Sequence, residues 1–228
     1  MDTIKISVII LTYNSENHIE KCLTALKSFD EIIILDTGST DDTIQIVRRF
    51  TAVKIYHSKF IGFGQLKNLA MSYTTNDWIL SIDSDEVISQ ETADEINNTD
   101  LQPNTIYTFP RENYYNGKLI KGCGWYPNRI SRLFNKTHTK FKDKLVHESP
   151  ISKDDTVIVK LNSPVKHYSF NTATEILDKL QRYTSLYSIE YKNKKKTSPG
   201  KAMFHAIITF LKNYFLQKGF LYGYEGLL

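Results

Sequence analysis

Two aspartates two residues apart stand at the end of an apolar run in WILSIDSDE, and this triplet, Asp83-Ser84-Asp85, is the clearest chemical signal in the chain. Carboxylates spaced in this way beyond a buried strand can hold a divalent cation against a diphosphate. Short acidic triplets are also common in solvated turns, so position decides between the two readings. Two other apolar runs end in polar residues: Thr12-Tyr13-Asn14 follows IKISVIIL, and Asp36-Thr37-Gly38-Ser39-Thr40-Asp41 follows EIIIL. Each loop alone reads equally well as helix-cap or turn chemistry. Together they offer Asp36 as an acceptor for a base N–H, Tyr13 as a stacking surface and an aspartate pair beside phosphates. That combination suits a nucleoside diphosphate.

The elements that must position these loops follow from periodicity. Residues 4–11 form a continuous β-branched run, and Ile19, Leu23 and Leu26 then recur at helical spacing within 14–28. The pattern repeats with a strand over 31–35, a helix over 42–50 with an acidic first turn, a strand over 53–56, a helix over about 65–73 and a strand over 78–82. Alternation of this kind predicts right-handed crossovers and a mostly parallel, doubly wound α/β sheet. The loops after Leu11, Leu35 and Ile82 then share the carboxyl edge, where such sheets bind ligands. From Ile106 onward, short runs at 107–110, 118–120, 130–134 and 156–161 read as antiparallel and edge strands. Residues 172–191 and 201–217 read as helices flanking a basic breaker, 192–200.

With 228 residues, 41% hydrophobic and 24% charged, the chain can bury one substantial core. The N-terminal apolar run is too short for a membrane span and lacks a signal-peptide cleavage site. Two cysteines, Cys22 and Cys123, read as thiols of a reducing compartment, so the expected location is cytoplasmic. The net charge of +4 is concentrated toward the C-terminus, where Lys192, Lys194, Lys195 and Lys196 lie beside Tyr187 and Tyr191. A Rossmann dinucleotide site is excluded, because no G-x-G-x-x-G follows the first strand. A nucleotidyltransferase would carry a Gly-rich, lysine-containing first loop, and LTYNSENH has no glycine. A non-catalytic membrane-surface or nucleic-acid module would use the basic, aromatic C-terminal region, which has no nucleic-acid recognition motif. An apolar stripe of Phe204, Ile207, Ile208, Leu211, Phe215 and Leu216 favours anionic membrane over nucleic acid as its partner, and suits packing onto the catalytic domain equally well.

The motifs TYN, DTGSTD, Lys67-Asn68 and DSD, in this order, resemble glycosyltransferase family 2. The resemblance implies a GT-A fold with a C-terminal helical extension, inversion at the anomeric carbon and a divalent cation, Mg2+ or Mn2+. Further on, GCGWYPNRISRLFNK, His147-Glu148 in KLVHESP, VKHYSF and the tail GFLYGYEGLL are similar to the lipopolysaccharide core β-1,4-glucosyltransferase branch. That branch implies a UDP-sugar donor, UDP-glucose, and a lipid-linked saccharide acceptor, an inner-core heptose. Carried over by position, Thr12, Tyr13, Asn14 and Asp36 meet uracil and ribose, and Asp83 meets the ribose or donor sugar. Asp85 meets the metal, and Lys67 lies near the diphosphate or sugar. Residues 1–170 form the catalytic domain, 1–100 its nucleotide-sugar half and 101–170 its acceptor half, with 171–228 helical.

Inversion needs one in-line displacement and hence one general base, for which Glu148 at the His-Glu position is the candidate. His167 can complete a metal site through a neutral imidazole, although magnesium and manganese prefer oxygen. Arg129 and Arg132 are three apart in an extended segment, so they need not face together. Each suits either a diphosphate or acceptor phosphate, or an ordinary surface ion pair.

Overall fold

The structure is a computed structural model that describes residues 4–192, 194 and 198–227. Of the basic run, Lys195 and Lys196 lie outside the described residues. The chain forms two compact units, one comprising the chain up to Pro110 with Arg129–His167, the other Arg111–Asn128 with the chain from Tyr168. The second unit therefore takes in 111–128 as well as the C-terminal region.

In the first unit, β1 (Ile6–Thr12), β2 (Glu31–Asp36), β3 (Val53–His57) and β4 (Trp78–Asp83) form the parallel part of a sheet. They lie in the order β3-β2-β1-β4, continued by β8 (Asn128–Asn135), antiparallel to β4. Every residue of β2 is buried, as befits a strand covered on both faces. Alternate side chains feed two cores. Ile6, Val8, Ile10, Ile32, Ile34 and Leu80 pack with Ile19, Cys22 and Leu23 of α1 (Ile19–Ala25). Ile9, Ile33, Leu35 and Ile79 pack with Leu66, Ala70 and Met71 of α3 (Phe63–Ser72). The parallel register aligns Thr12 with Asp36 and Leu11 with Asp83, which brings three strand ends to one edge.

Helices α1 and α2 (Thr43–Val47) are shorter than their periodicity suggests. In the first loop, Ser15 O accepts from both His18 N and Ile19 N at 3.0 Å, a turn that delays the helix. Three elements carry no sequence expectation: β5 (Glu86–Ile88), α4 (Gln90–Asn98) and β10 (Val165–Phe170). The signal for α4 was its cap, since Ser89 Oγ accepts from Thr92 N at 3.2 Å, followed by buried Ala93 and Ile96. β10 pairs antiparallel with β5, setting His167 opposite Glu86. β6 (Thr105–Tyr115) pairs parallel with β9 (Val157–Lys160) and antiparallel with β7 (Lys118–Leu119).

The second unit carries α5 (Ala173–Tyr191), started by a reciprocal cap in which Thr172 Oγ1 accepts from Glu175 N and Glu175 Oε2 accepts from Asn171 N. The helix expected over 201–217 is α6 (Pro199–Leu211) followed by a π-helical turn, Lys212–Leu216. The tail is held by Lys121 N donating to Tyr222 Oη at 2.9 Å and Cys123 N to Gln217 O at 2.9 Å. Both cysteines are free thiols.

At the opposite, amino-terminal edge, Glu31 is buried and ties three segments together. Its carboxylate accepts from Ser7 Oγ at 2.6 Å, Thr75 N at 2.8 Å and Lys54 Nζ at 2.7 Å. Burial opposes its ionisation, but the bonds from Lys54, Ser7 and Thr75 outweigh it and lower the pKa to about 2. A carboxylate with a depressed folded pKa contributes stability that is present above its unfolded value and lost as pH falls toward the folded one. Urea midpoints should therefore fall between about pH 4.5 and 2 in the wild type and less steeply in Glu31→Gln. Parallel pH curves for the two proteins would show that Glu31 is not the group responsible.

Candidate active site

The first two loops at the carboxyl edge lock onto each other. Asn14 adopts φ +48°, its N–H donates to Ser39 Oγ at 3.0 Å, and its Oδ1 accepts from Thr40 N at 2.8 Å. Asn tolerates this left-handed backbone better than most residues. Asp36 is buried, and its carboxylate accepts from Thr12 Oγ1 at 3.1 Å, Gly38 N at 3.0 Å, Ser39 N at 3.1 Å and Ser39 Oγ at 2.5 Å. Burial raises the Asp36 pKa, but the bonds from Ser39, Gly38 and Thr12 hold it below the usual carboxylate range. Thr12 is likewise buried, whereas the Tyr13 ring is half exposed at this edge. The third loop joins through serines that the sequence did not single out: Ser15 Oγ and Ser84 Oγ are 2.8 Å apart, and Ser15 N donates to Thr43 Oγ1 at 2.6 Å.

A charge cluster lies at the end of β4. Lys67, on α3, is buried, with Nζ 3.1 Å from Asp83 Oδ1 and 2.8 Å from Glu148 Oε1, above the Phe141 ring at 5.3 Å. Arg132, buried on β8, donates through NH2 to Asp83 Oδ2 and, at 2.5 Å, to Glu86 Oε1. Glu86 Oε2 in turn accepts from Asp83 N at 3.1 Å. Burial penalises every charge here, but the ion pairs outweigh it. Arg132 and Lys67 hold the Asp83 pKa well below the carboxylate range, while Asp83 raises that of Lys67, and Asp83 and Glu86 raise that of Arg132.

Glu148 reaches Lys67 because its loop is docked on the start of α3. Phe63 N donates to Leu145 O at 3.2 Å and Gly64 N to Lys144 O at 3.0 Å. A Cβ at Gly64 would stand 1.9 Å from Lys142 O, so only glycine permits this approach. Asn68, the other half of the Lys67-Asn68 pair, exchanges bonds with the backbone of Phe141 at 2.9 and 3.0 Å. His147 takes φ +56° and is exposed beside Glu148.

Asp85 Oδ2 lies 3.2 Å from His167 Nε2. Both oxygens of Asp83 are engaged by cations, so Asp85 and His167 are the side chains here with donor atoms suited to a metal. One carboxylate and one imidazole fit a cation whose remaining ligands come from a diphosphate and water. Among the described residues no group of three or more His, Cys, Asp or Glu converges as a closed metal site. Arg129 is not brought to this cluster. Its NH2 donates to Thr108 O at 2.6 Å and Leu161 O at 2.5 Å, where it ties β6 to the end of the β9 segment. In a strand, residues three apart face opposite ways, which separates Arg129 from Arg132.

A family model described as glycosyl transferase family 2 matches residues 7–156, the stretch from β1 through Glu148. RT0209 of Rickettsia typhi, which bears the name uncharacterized glycosyltransferase, is 32% identical over 244 residues, covering 97% of this chain and 80% of that protein. The glycosyltransferase SunS of Bacillus subtilis is 32% identical over 195 residues, 81% of this chain and 44% of SunS. Glucosyl-3-phosphoglycerate synthase of Mycobacterium tuberculosis, solved with Mn2+, UDP and phosphoglyceric acid, aligns with a TM-score of 0.51 at 16% identity, over 83% of this chain and 79% of that one. S. aureus TarS aligns with a TM-score of 0.50 at 18% identity, over 93% of this chain and 44% of that one. The two solved structures share the fold.

Removing Arg132 would leave Glu86, which is fully buried, without its cation. Arg132→Met is expected to cost about 3–5 kcal/mol, the usual penalty for stranding a buried charge, and adding Glu86→Gln should recover part of it. Denaturant midpoints of the single and double variants measure both. A single variant as stable as the wild type would mean that Glu86 is not held as a charged partner.

Proposed function

The chain belongs to glycosyl transferase family 2 and has the GT-A fold, and we propose that it is an inverting, metal-assisted hexosyltransferase. In this reading it moves glucose from UDP-glucose onto an inner-core heptose of a lipopolysaccharide or lipooligosaccharide. The observation that carries it is the placement of Glu148, 2.8 Å from a buried lysine that also grips Asp83 at the edge where three strand loops meet. A carboxylate fixed there on the acceptor side of the donor loops is what a single displacement requires. The choice of glucose and of heptose rests on the likeness of the segments around Glu148, His167 and the tail to the core glucosyltransferase branch.

Tyr13 offers its half-exposed ring to uracil, and the self-bonded Asp36 loop shapes the pocket that receives uracil and ribose. Asp83, held by Lys67 and Arg132, faces the ribose or donor sugar. Lys67 fixes Glu148 through Oε1, and Oε2 takes the proton of the acceptor hydroxyl as its oxygen bonds to the anomeric carbon. The bond from that carbon to the UDP oxygen breaks in the same step. Asp85 and His167 would hold Mg2+ or Mn2+, which would supply charge neutralisation for the departing diphosphate. Arg132 serves donor binding through Asp83, and Arg129 has no part in this scheme. A lipid-linked acceptor implies work at the cytoplasmic face of a membrane, with peripheral contact to anionic lipid.

Glu148→Gln keeps shape and hydrogen bonding but cannot accept a proton. It should bind UDP-glucose nearly as the wild type does and transfer roughly 10²- to 10⁴-fold more slowly. Asp85→Ala should lose metal-supported donor binding as well. Calorimetry of donor binding with and without manganese, alongside UDP release, separates the two roles. Transfer by Glu148→Gln at the wild-type rate would remove it as the base. Glu86 could not take its place, being fully buried against Arg132.

A further inference from the structure

No residue of α6 or of the π-helical turn after it is buried. Met203 is 68% exposed, Phe204 63%, Ile207 53% and Leu216 79%. At helical spacing, Met203, Phe204, Ile207, Ile208, Phe210 and Leu211 occupy one side of α6, across an arc of about 160°. Lys201, His205, Thr209 and Lys212 occupy the other. An apolar face of this extent on a folded chain marks a contact surface.

Charge selects what the surface contacts. Residues 191–224 contain seven lysines and neither aspartate nor glutamate. A second copy docked through the same face about a two-fold axis would set these lysines against one another. An anionic bilayer attracts the lysines that come near it, among them Lys201 of this helix and Lys212 of the turn after it, and accepts the apolar face into its acyl boundary. Among the described residues no helix is long and apolar enough to cross a membrane, and α6, with 13 residues, falls short of the roughly 20 that a span needs.

We propose that α6 and the turn Lys212–Leu216 form an interfacial anchor, parallel to the bilayer, with the Met203–Ile207–Phe210 side in the acyl boundary and Lys201 and Lys212 at the headgroups. This deepens the membrane contact included in the functional reading above and rests on that reading for the purpose of the contact. The anchor would hold the enzyme where a lipid-linked acceptor is presented.

The test is sedimentation of the full chain with vesicles of phosphatidylcholine alone or in equal parts with phosphatidylglycerol. Wild type should bind the anionic vesicles and release from them at high salt. Phe204→Asp with Ile207→Asp should weaken binding at least tenfold, and Lys201→Gln with Lys212→Gln should weaken it by roughly 25-fold, about fivefold per lysine. Helical content by circular dichroism should not change, because neither pair is buried. UDP release with a soluble, truncated acceptor should also persist in both variants, which keeps this proposal separable from the transferase reading. Wild type that ignores anionic vesicles, or an aspartate variant that binds them as well as wild type, would overturn it. So would a solution dimer that the aspartate pair dissociates while leaving vesicle binding intact, since the face would then be a contact between copies.

Discussion

Two buried cations at the end of one strand set the terms for the rest of the site. Lys67 and Arg132 have given up most of their hydration, and a buried charge left without a partner costs several kcal/mol. Asp83 answers both at once, with one oxygen for each cation. The demand cannot be met locally, because Lys67 comes from α3, Asp83 from β4 and Arg132 from β8. Satisfying it fixes those elements relative to one another. Glu86 and Glu148 complete the set, so the segment that carries the proposed base is drawn to the end of β4 by the same lysine.

The loops proposed to hold the donor are organised chiefly by hydrogen bonds. Asp36 would be a poor buried charge without its ring of donors from Thr12, Gly38 and Ser39, which makes the loop largely self-sufficient. Asn14, Ser15 and Ser84 then bind that loop to its neighbours. A pocket assembled before its ligand arrives loses less conformational freedom on binding. Asp36 thus acts first on the shape of the loop, and the sequence alone had no means of distinguishing this from a direct bond to a base.

Much of the parallel sheet was legible because its strands are continuous β-branched runs, separated by helices whose apolar residues recur at helical spacing. The strand ends were legible for the same reason, since the register that buries Ile9, Ile33 and Ile79 on one face also pairs Thr12 with Asp36 and Leu11 with Asp83, which brings the three strand ends to one edge. Short elements were not: β5 has three residues, and α4 buries only Thr92, Ala93 and Ile96, too little periodicity to stand out. Arg132 and Arg129 are identical in type and close in sequence, and strand alternation separates them. Glu86 as the partner of Arg132, and Ser15 as the partner of Ser84, depend on contacts 46 and 69 residues apart, which no local pattern encodes.

The proposed mechanism uses Glu148 as its one base and forms no covalent glycosyl intermediate, and a single displacement reverses the anomeric configuration. Early-time proton NMR of the anomeric signal, with UDP-glucose, manganese and truncated lipooligosaccharide, reads that outcome directly. The account predicts a β-linked product from the α-linked donor. An α-linked product would mean that configuration is retained, and the role given to Glu148 and to the cluster that holds it would be wrong.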